Sequence, residues 1–461
     1  MTVHSPSSSK PKILIVGAGL GGLTLAILLE RAGIDYQIYE KSTTLKTPGG
    51  ATALSPHILQ AMEQLGLLED LKKISKPTHG YDIFKEGTDG QSLEAAGEFD
   101  ISIQKSFTGY QTVVLQGAEL HNFLLSRVPN HKIEYGKRVL SMSQETNNGV
   151  LIRTSDGATH QGDILIGCDG VYSAVRQSLY KSLAKEGVLP SSDAEDLRVS
   201  HISFLGVTNP IDPAIAPCIT DELSHCYVVI GKNKLQTWRC FTVPGNRICW
   251  RVDAQLQSSD FYKSDAFRNS VWDFDAIKHM DESWRAFKTP LGPDGGYLTI
   301  GDLINYTPKE QISKTVLEEK LFTTWYNRRT VLLGDGTTNA MLDAVILANE
   351  LYEIAEDATT ENIHNAFKEY YKERYHHAKT DFEFSQRVAK ITAGQTKTDV
   401  IVRKAVYTYM MTSFKPKSDP KLMCYRPQAS FLPKIENRGS GGLDPQKESK
   451  RYQLVTAGAA V

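Results

Sequence analysis

Gly17-Ala18-Gly19-Leu20-Gly21-Gly22 and the later acid Glu40 have the types and spacing needed to hold a pyrophosphate and a ribose. Gly17 allows a tight turn, Gly19 lets the backbone come close to phosphate, and Gly22 lets a helix lie against the preceding strand. A helix starting at this turn aims its unpaired N–H groups, and the positive end of its dipole, at the phosphates. Glu40 can accept hydrogen bonds from ribose hydroxyls. Such a glycine pattern by itself is weak, but its setting here is specific. Lys12 to Val16 (KILIV) predicts a buried strand, Leu23 to Leu29 an apolar helix, and Tyr36 to Tyr39 a second strand ending at Glu40. Strand, glycines, helix, strand and acid in that order predict a βαβ unit for the adenosine diphosphate part of a cofactor.

The elements that must position this unit fill a chain of 461 residues, which suits two domains and a tail. With 41% hydrophobic and 23% charged residues and a net charge of −1, the composition is that of a globular protein and offers no electrostatic case for nucleic acid. No apolar run is long enough to span a bilayer, and the polar opening MTVHSPSSSK has no signal-peptide core. The six cysteines form no C-x-x-C pair and read as small hydrophobes in a reducing compartment. His376 and His377 lack metal-ligand spacing, so no metal is expected.

Along the chain, Ser55 to Ser75 predicts a helix ending near Pro77, and Val113 to Val128 carries helical periodicity. Residues 148–167 predict a hairpin whose second strand, GDILIG, runs into Cys168-Asp169-Gly170-Val171-Tyr172-Ser173-Ala174-Val175-Arg176, a turn that opens a helix. Between about 195 and 300 short strands predominate, with a turn at Pro244-Gly245-Asn246, which predicts an antiparallel sheet able to cover a ligand. Tyr227 and Arg251 lie in this stretch and read as ordinary sheet residues. Then come a buried strand at RTVLLG (329–334), an amphipathic helix over 339–354 and a charged helical stretch over 361–390.

With the first fingerprint, the GCDGVYSAVR segment and LLGD in view, the chain resembles flavin-dependent monooxygenases of the p-hydroxybenzoate hydroxylase type. The likeness is greatest to the fungal branch of terpenoid epoxidases and aromatic hydroxylases, and it spans roughly residues 11–435. It implies an α/β fold: a Rossmann-like FAD-binding domain of the GR2 type, an inserted antiparallel-sheet substrate domain and a C-terminal helical segment. The expected parts are a disordered leader (1–10), a discontinuous FAD-binding domain (11–180 and 301–390), a substrate domain (181–300), a helical segment (391–435) and a disordered tail (436–461). The resemblance puts Gly17, Gly19, Gly22, Glu40, Lys41, Ala53 and Gln116 beside FAD. It also puts Asp169, Gly170 and Arg176 near both flavin and incoming NAD(P)H, and Asp335 and Gly336 at the ribitol end. The implied cycle is reduction of FAD by NAD(P)H, capture of O2 as a flavin C4a-hydroperoxide, and transfer of one oxygen atom to a hydrophobic small molecule. No catalytic side chain is assigned. A cytosolic location is expected. Residues 402–414 (VRKAVYTYMMTSF) are too short to span a membrane and read as a packed helix in preference to a peripheral anchor.

Two places depart from the family pattern. After Gly334-Asp335 the family continues with a His-, Pro- and Gly-containing turn before the long helix. Here Gly336-Thr337-Thr338-Asn339 follows at once, so roughly ten residues are missing against that pattern. In the family this turn brings backbone N–H groups to the flavin N1 and C2 carbonyl, where negative charge collects on reduction. The second departure is Gln116, which stands where the family usually has an arginine. The main reading is an FAD monooxygenase. The alternative is a degenerate homologue, or a sequence missing a coding piece, with impaired flavin binding. A plain NAD-dependent dehydrogenase would leave Asp169-Gly170 and the LLGD strand without a role. Inserting a family-like glycine-rich segment between Asp335 and Asn339 is expected to raise FAD affinity about ten-fold or more, since one N–H donor to a charged acceptor contributes about 1.5–3 kcal/mol. Equilibrium titration showing unchanged affinity would mean the short turn is no defect.

Overall fold

Ile13-Leu14-Ile15-Val16 has no polar face, and a strand of that kind is stable only when both faces are covered. In the computed structural model, which describes residues 10–44, 50–87, 89, 92–145, 149–232, 236–255, 282–334, 336–393 and 423–458, all four are buried. This strand, β1 (Ile13–Val16), is followed by α1 (Leu20–Ala32) and by β2 (Tyr36–Tyr39), which pairs with it in parallel. Ile164–Gly167 pairs in parallel on the other side of β1 and is joined by Thr330–Leu332. The six-stranded sheet runs Tyr326–Asn327, Thr330–Leu332, Ile164–Gly167, β1, β2, Ile133–Glu134, and its first two strands alone are antiparallel.

One face of this sheet is covered by α1, the Gly117–Leu125 helix and the Thr337–Ile354 helix, packed into a single apolar core with Ile363, Phe367 and Tyr370. Gly21 permits the close helix contact, since a Cβ there would lie 2.8 Å from that of Ala340. The other face packs against the Ala174–Lys185 helix and a three-stranded sheet of Val139–Glu145, Gly149–Thr154 and Thr159–Gly162.

The second layer is a seven-stranded sheet in the order Ile312–Glu319, Arg198–Val207, Arg247–Gln255, Gln236–Val243, Cys226–Ile230, Gly80–Glu86, Leu93–Asp100. It extends beyond the 181–300 span, taking a hairpin from earlier in the chain and a strand from after it. Pro244-Gly245-Asn246 makes the expected turn, with Gly245 and Asn246 both at positive φ. The outer face carries a core built on Trp238, Trp250 and Phe287. The inner face packs Val207, Cys226, Val243 and Cys249 against Val114, Ala51 and Ala53.

Four expectations change. The 55–75 stretch is two helices, Pro56–Gln64 and Leu68–Lys73, because Gly66 takes a left-handed backbone (φ +75°) between them. The 113–128 stretch begins as a strand, Val113–Gln116, bonded to Ala51–Leu54, and turns helical only at Gly117. The 148–167 hairpin returns through Thr159–Gly162, while Ile164–Gly167, apolar on both faces, leaves for the parallel sheet. The tail expected to be disordered is ordered as far as residue 458. Side-chain-free Gly439 and Gly441 let it lie against Phe107, the Gly441 N–H donates to the Phe107 carbonyl (2.8 Å), Lys447 pairs with Glu350 (2.6 Å), and Lys450–Gly458 is helical. The leader (1–9), Asp335 and most of the 391–435 segment, including 402–414, lie outside the described residues. No helix among the described residues is long and apolar enough to cross a membrane.

A Cβ at Gly22 would lie 2.2 Å from the Gly17 carbonyl oxygen, so α1 must move to admit one. Gly22→Ala is therefore expected to cost about 1–3 kcal/mol of stability, as overpacking does. A urea melt unchanged from wild type would show that α1 is not seated this tightly.

Candidate active site

All the motif turns leave from one edge. β1, β2, Ile164–Gly167 and Thr330–Leu332 are parallel neighbours, so Gly17, Glu40, Asp169 and Gly334 all follow the C-terminal ends of adjacent strands. Ligands of open parallel sheets bind at this edge.

In the first turn Gly17 sits at φ +102°, and a Cβ there would meet the Cys168 carbonyl oxygen at 2.5 Å. Gly19, the N-cap of α1, has no neighbour closer than 4.0 Å to such an atom, which leaves its approach open. Glu40 is buried. Its Oε2 accepts the Ala18 N–H and its Oε1 the Ser42 N–H, both at 2.8 Å. A carboxylate offers about four lone-pair sites, so capacity remains for ribose hydroxyls. Lys41 is exposed next to it. Ala53 lies across from Val114, and Gln116 ends that strand as the N-cap of the Gly117–Leu125 helix, half-buried and making no cap bond with its side chain.

The second turn has a different internal logic. The Asp169 carboxylate accepts from Ser173 Oγ (2.5 Å) and from the Ala174 and Val175 N–H groups (2.6 and 3.3 Å). It thus anchors the start of the Ala174–Lys185 helix. Burial pushes its carboxyl up, against the pull of these hydrogen bonds. Gly170 (φ +76°) exposes open backbone, and Arg176 donates to the Val171 carbonyl (2.6 Å) while its guanidinium lies 4.4 Å from the Phe322 ring centre.

Only Leu333 to Gly336 separate Thr330–Leu332 from the long helix, which begins behind Gly336 (φ +102°) without a side-chain cap. A cavity of about 410 Å³ opens between the two turns, lined by Gly170, Arg176, Phe322, Gly334, Gly336 and Asn339.

The motif reading missed two side chains. Asp343 accepts the Gly334 N–H (2.8 Å) and pairs with Arg374 (2.6 Å), both fully buried; Arg374 Nη2 donates to Asn339 Oδ1 (3.1 Å). Burial opposes the charge on Arg374, and Asp343 more than offsets it. A lone acid in the apolar run Met341 to Leu347 is the clue available from sequence. His121 places Nε2 2.8 Å from the Ala18 carbonyl and ties the Gly117–Leu125 helix to the first turn. Tyr227 and Arg251 part company: Tyr227 packs with the outer core, and Arg251 lies on the inner face.

Residues 10–203 match a family model described as "FAD binding domain". FAD-dependent monooxygenase olcE of Penicillium canescens is 26% identical over 98% of this chain and 96% of its own length. FAD-dependent monooxygenase ausM of Emericella nidulans is 27% identical over 94% and 89%. Over nearly its whole length the chain is thus similar to FAD-dependent monooxygenases, and its residues 10–203 carry the FAD-binding domain. In fold it is similar to Klebsiella pneumoniae HpxO complexed with FAD and uric acid, with a TM-score of 0.65, 21% identity, and coverage of 90% of this chain and 96% of that one.

FAD is the cofactor of this monooxygenase, and the first turn, with its open Gly19 and buried Glu40, fits the adenosine end. If Gln116 borders the cofactor, Gln116→Arg will strengthen FAD retention by about 1–2 kcal/mol through a charge-assisted bond. No gain on equilibrium titration would move Gln116 away from the site.

Proposed function

We propose that this monooxygenase consumes NAD(P)H and O2 to hydroxylate or epoxidise a hydrophobic small molecule held between the motif edge and the seven-stranded sheet. The observation that carries this is the meeting of four motif turns at one edge of the parallel sheet, while the inner antiparallel face packs on the Ala51–Leu54 and Val113–Gln116 strands. Bound there, FAD supplies the electron-accepting and oxygen-activating chemistry.

The chain's residues bind and orient. Gly17, Gly19 and Gly22 give the pyrophosphate access to the start of α1, and Glu40 takes the ribose hydroxyls. Lys41, Ala53 and Gln116 border the cofactor, and Asp335 with Gly336 takes its ribitol side. Asp169 keeps Gly170 and Arg176 in place, where Arg176 presents positive charge to the reductant. Asp343 and Arg374 hold Gly334, and so the start of the Thr337–Ile354 helix, at a fixed position. That N-terminus favours negative charge in front of it, in part replacing the donors of the longer family turn.

Relatives matched over nearly their whole length support an active enzyme over a degenerate homologue. HpxO, complexed with both FAD and uric acid, supports a small-molecule substrate held alongside flavin. The test is an absorbance spectrum after incubation with FAD and desalting, followed by NAD(P)H oxidation under O2. Retained flavin bands and oxidation stimulated by a hydrophobic substrate are expected. A folded but colourless protein would overturn this function for the chain as it stands.

A further inference from the structure

The outer face of the seven-stranded sheet carries three metal-ligating side chains that the monooxygenase reading leaves unused. Asp82 stands directly opposite Glu98 in the antiparallel pair of the Gly80–Glu86 and Leu93–Asp100 strands. Asp82 is also level with Tyr227, which packs with the outer core, so both carboxylates lie on that face, while Tyr81 lies on the inner one. His79 precedes the first of these strands. In a regular strand, residues three apart face opposite sides. Here Gly80 intervenes at φ +139°, which favours glycine, and a Cβ there would lie 1.8 Å from the Phe99 carbonyl oxygen. This break in the strand lets the His79 ring come to the side of Asp82, with Nε2 3.5 Å from Asp82 Oδ1. One ligand atom from each of His79, Asp82 and Glu98 lies within 4.8 Å of the other two.

Without a cation this arrangement is unfavourable. Like charges directly opposite one another destabilise an antiparallel pair. Among the described residues Asp82 has His79 alone as an ion-pair partner, and Glu98 has none. The side chains of His79 and Asp82 are 27% and 31% exposed and Glu98 is exposed, so an ion can reach all three while the strands hold them. The ladder is interrupted next to the pair: Ile83 stands opposite Gly97 but Phe84 opposite Ala95, which leaves Ala96 as the extra residue of a bulge. Bulges bend a strand and re-aim its side chains. Leu93–Asp100 is also the last strand of the sheet, held on one side only. An ion shared by His79, Asp82 and Glu98 would turn the repulsion into a cross-link of this edge. The donor set decides the class of ion. One imidazole nitrogen with two carboxylate oxygens suits Zn2+ or a similar first-row ion, whereas Mg2+ takes oxygen ligands and keeps several waters. Three protein ligands leave a fourth tetrahedral position for water.

We propose that His79, Asp82 and Glu98 form a binding site for a divalent transition-metal ion of the Zn2+ type, which clips the edge strand of the antiparallel sheet to its neighbour. Spacing along the chain carries no ligand motif, because His79 and Asp82 flank a break at the start of one strand and Glu98 comes from the next. Only the register of the two strands brings them together. The site uses no residue assigned to the cofactor, so it stands or falls separately from the monooxygenase reading.

The probe is Zn2+, titrated calorimetrically into the full chain after chelator treatment, FAD incubation and desalting, with Mg2+ as the comparison and thermal melts in parallel. Wild type is expected to bind Zn2+ at least about ten-fold more tightly than Mg2+. His79→Gln and Glu98→Gln should each weaken Zn2+ binding at least about ten-fold, since loss of a residue that merely supports a ligand already costs that much. Glu98→Gln separates binding from folding, because Glu98 is exposed and its replacement removes the repulsion. Without metal this variant should melt no lower than wild type, and the rise in Tm that Zn2+ gives wild type should be lost in it. No Zn2+ binding by wild type, or Zn2+ binding of unchanged affinity and stoichiometry in both variants, overturns the proposal. Mg2+ binding as tight as that of Zn2+ overturns the class of ion.

Discussion

The Cys168 carbonyl lies 2.5 Å from where any side chain on Gly17 would begin, and the site depends on that contact. It presses two turns, 150 residues apart in sequence, together backbone to backbone. Cys168 also donates its N–H to the Val16 carbonyl (2.8 Å), so the end of β1 and the start of the Asp169 turn move as one body. Gly22 closes the other side against the Gly17 carbonyl. With no room for a Cβ at either glycine, α1 starts close enough to the strand ends to present its N-terminus to a phosphate. His121 and Glu40 fasten the Ala18 peptide between them by its carbonyl and its N–H.

The turn after Gly334 is built on a different principle. Where the family places a longer glycine-rich turn, this chain runs from Gly334 to the helix within a few residues and fastens Gly334 from below through Asp343. The Asp343–Arg374 pair is wholly buried, and removing either partner from such a pair costs about 3–5 kcal/mol because the other charge is left uncompensated. It ties Gly334, just after the Thr330–Leu332 strand, to the Thr337–Ile354 and Thr360–Ala393 helices. The 410 Å³ cavity lies directly against it.

The covering sheet shows how alternation sorts function. Trp238, Trp250 and Val252 point outward into a core of their own, while Arg239, Arg251 and Asp253, one residue away in each strand, lie on the opposite, inner face. Such a sheet keeps its stability on one face and leaves the other to meet a ligand.

The sequence by itself determined the parallel core and the first glycine turn with its acid. β1, the glycines, α1, β2 and Glu40 are contiguous, and each has a local reason for its conformation: apolar runs buried on both faces, a positive-φ turn, an acid at a strand end. Local pattern also marked the Asp169 turn and the Pro244-Gly245-Asn246 turn. It failed where partners far away in the chain decide. The strand at Val113–Gln116 exists because Ala51–Leu54 bonds to it, and the tail is ordered because Phe107 and Glu350 receive it. Only tertiary structure could turn Asp169 inward as a helix anchor, draw Asp343 to Gly334, and separate Arg251 from Tyr227. Alternation defines two faces of a strand, but which face meets the cofactor is set by the layer packed against it.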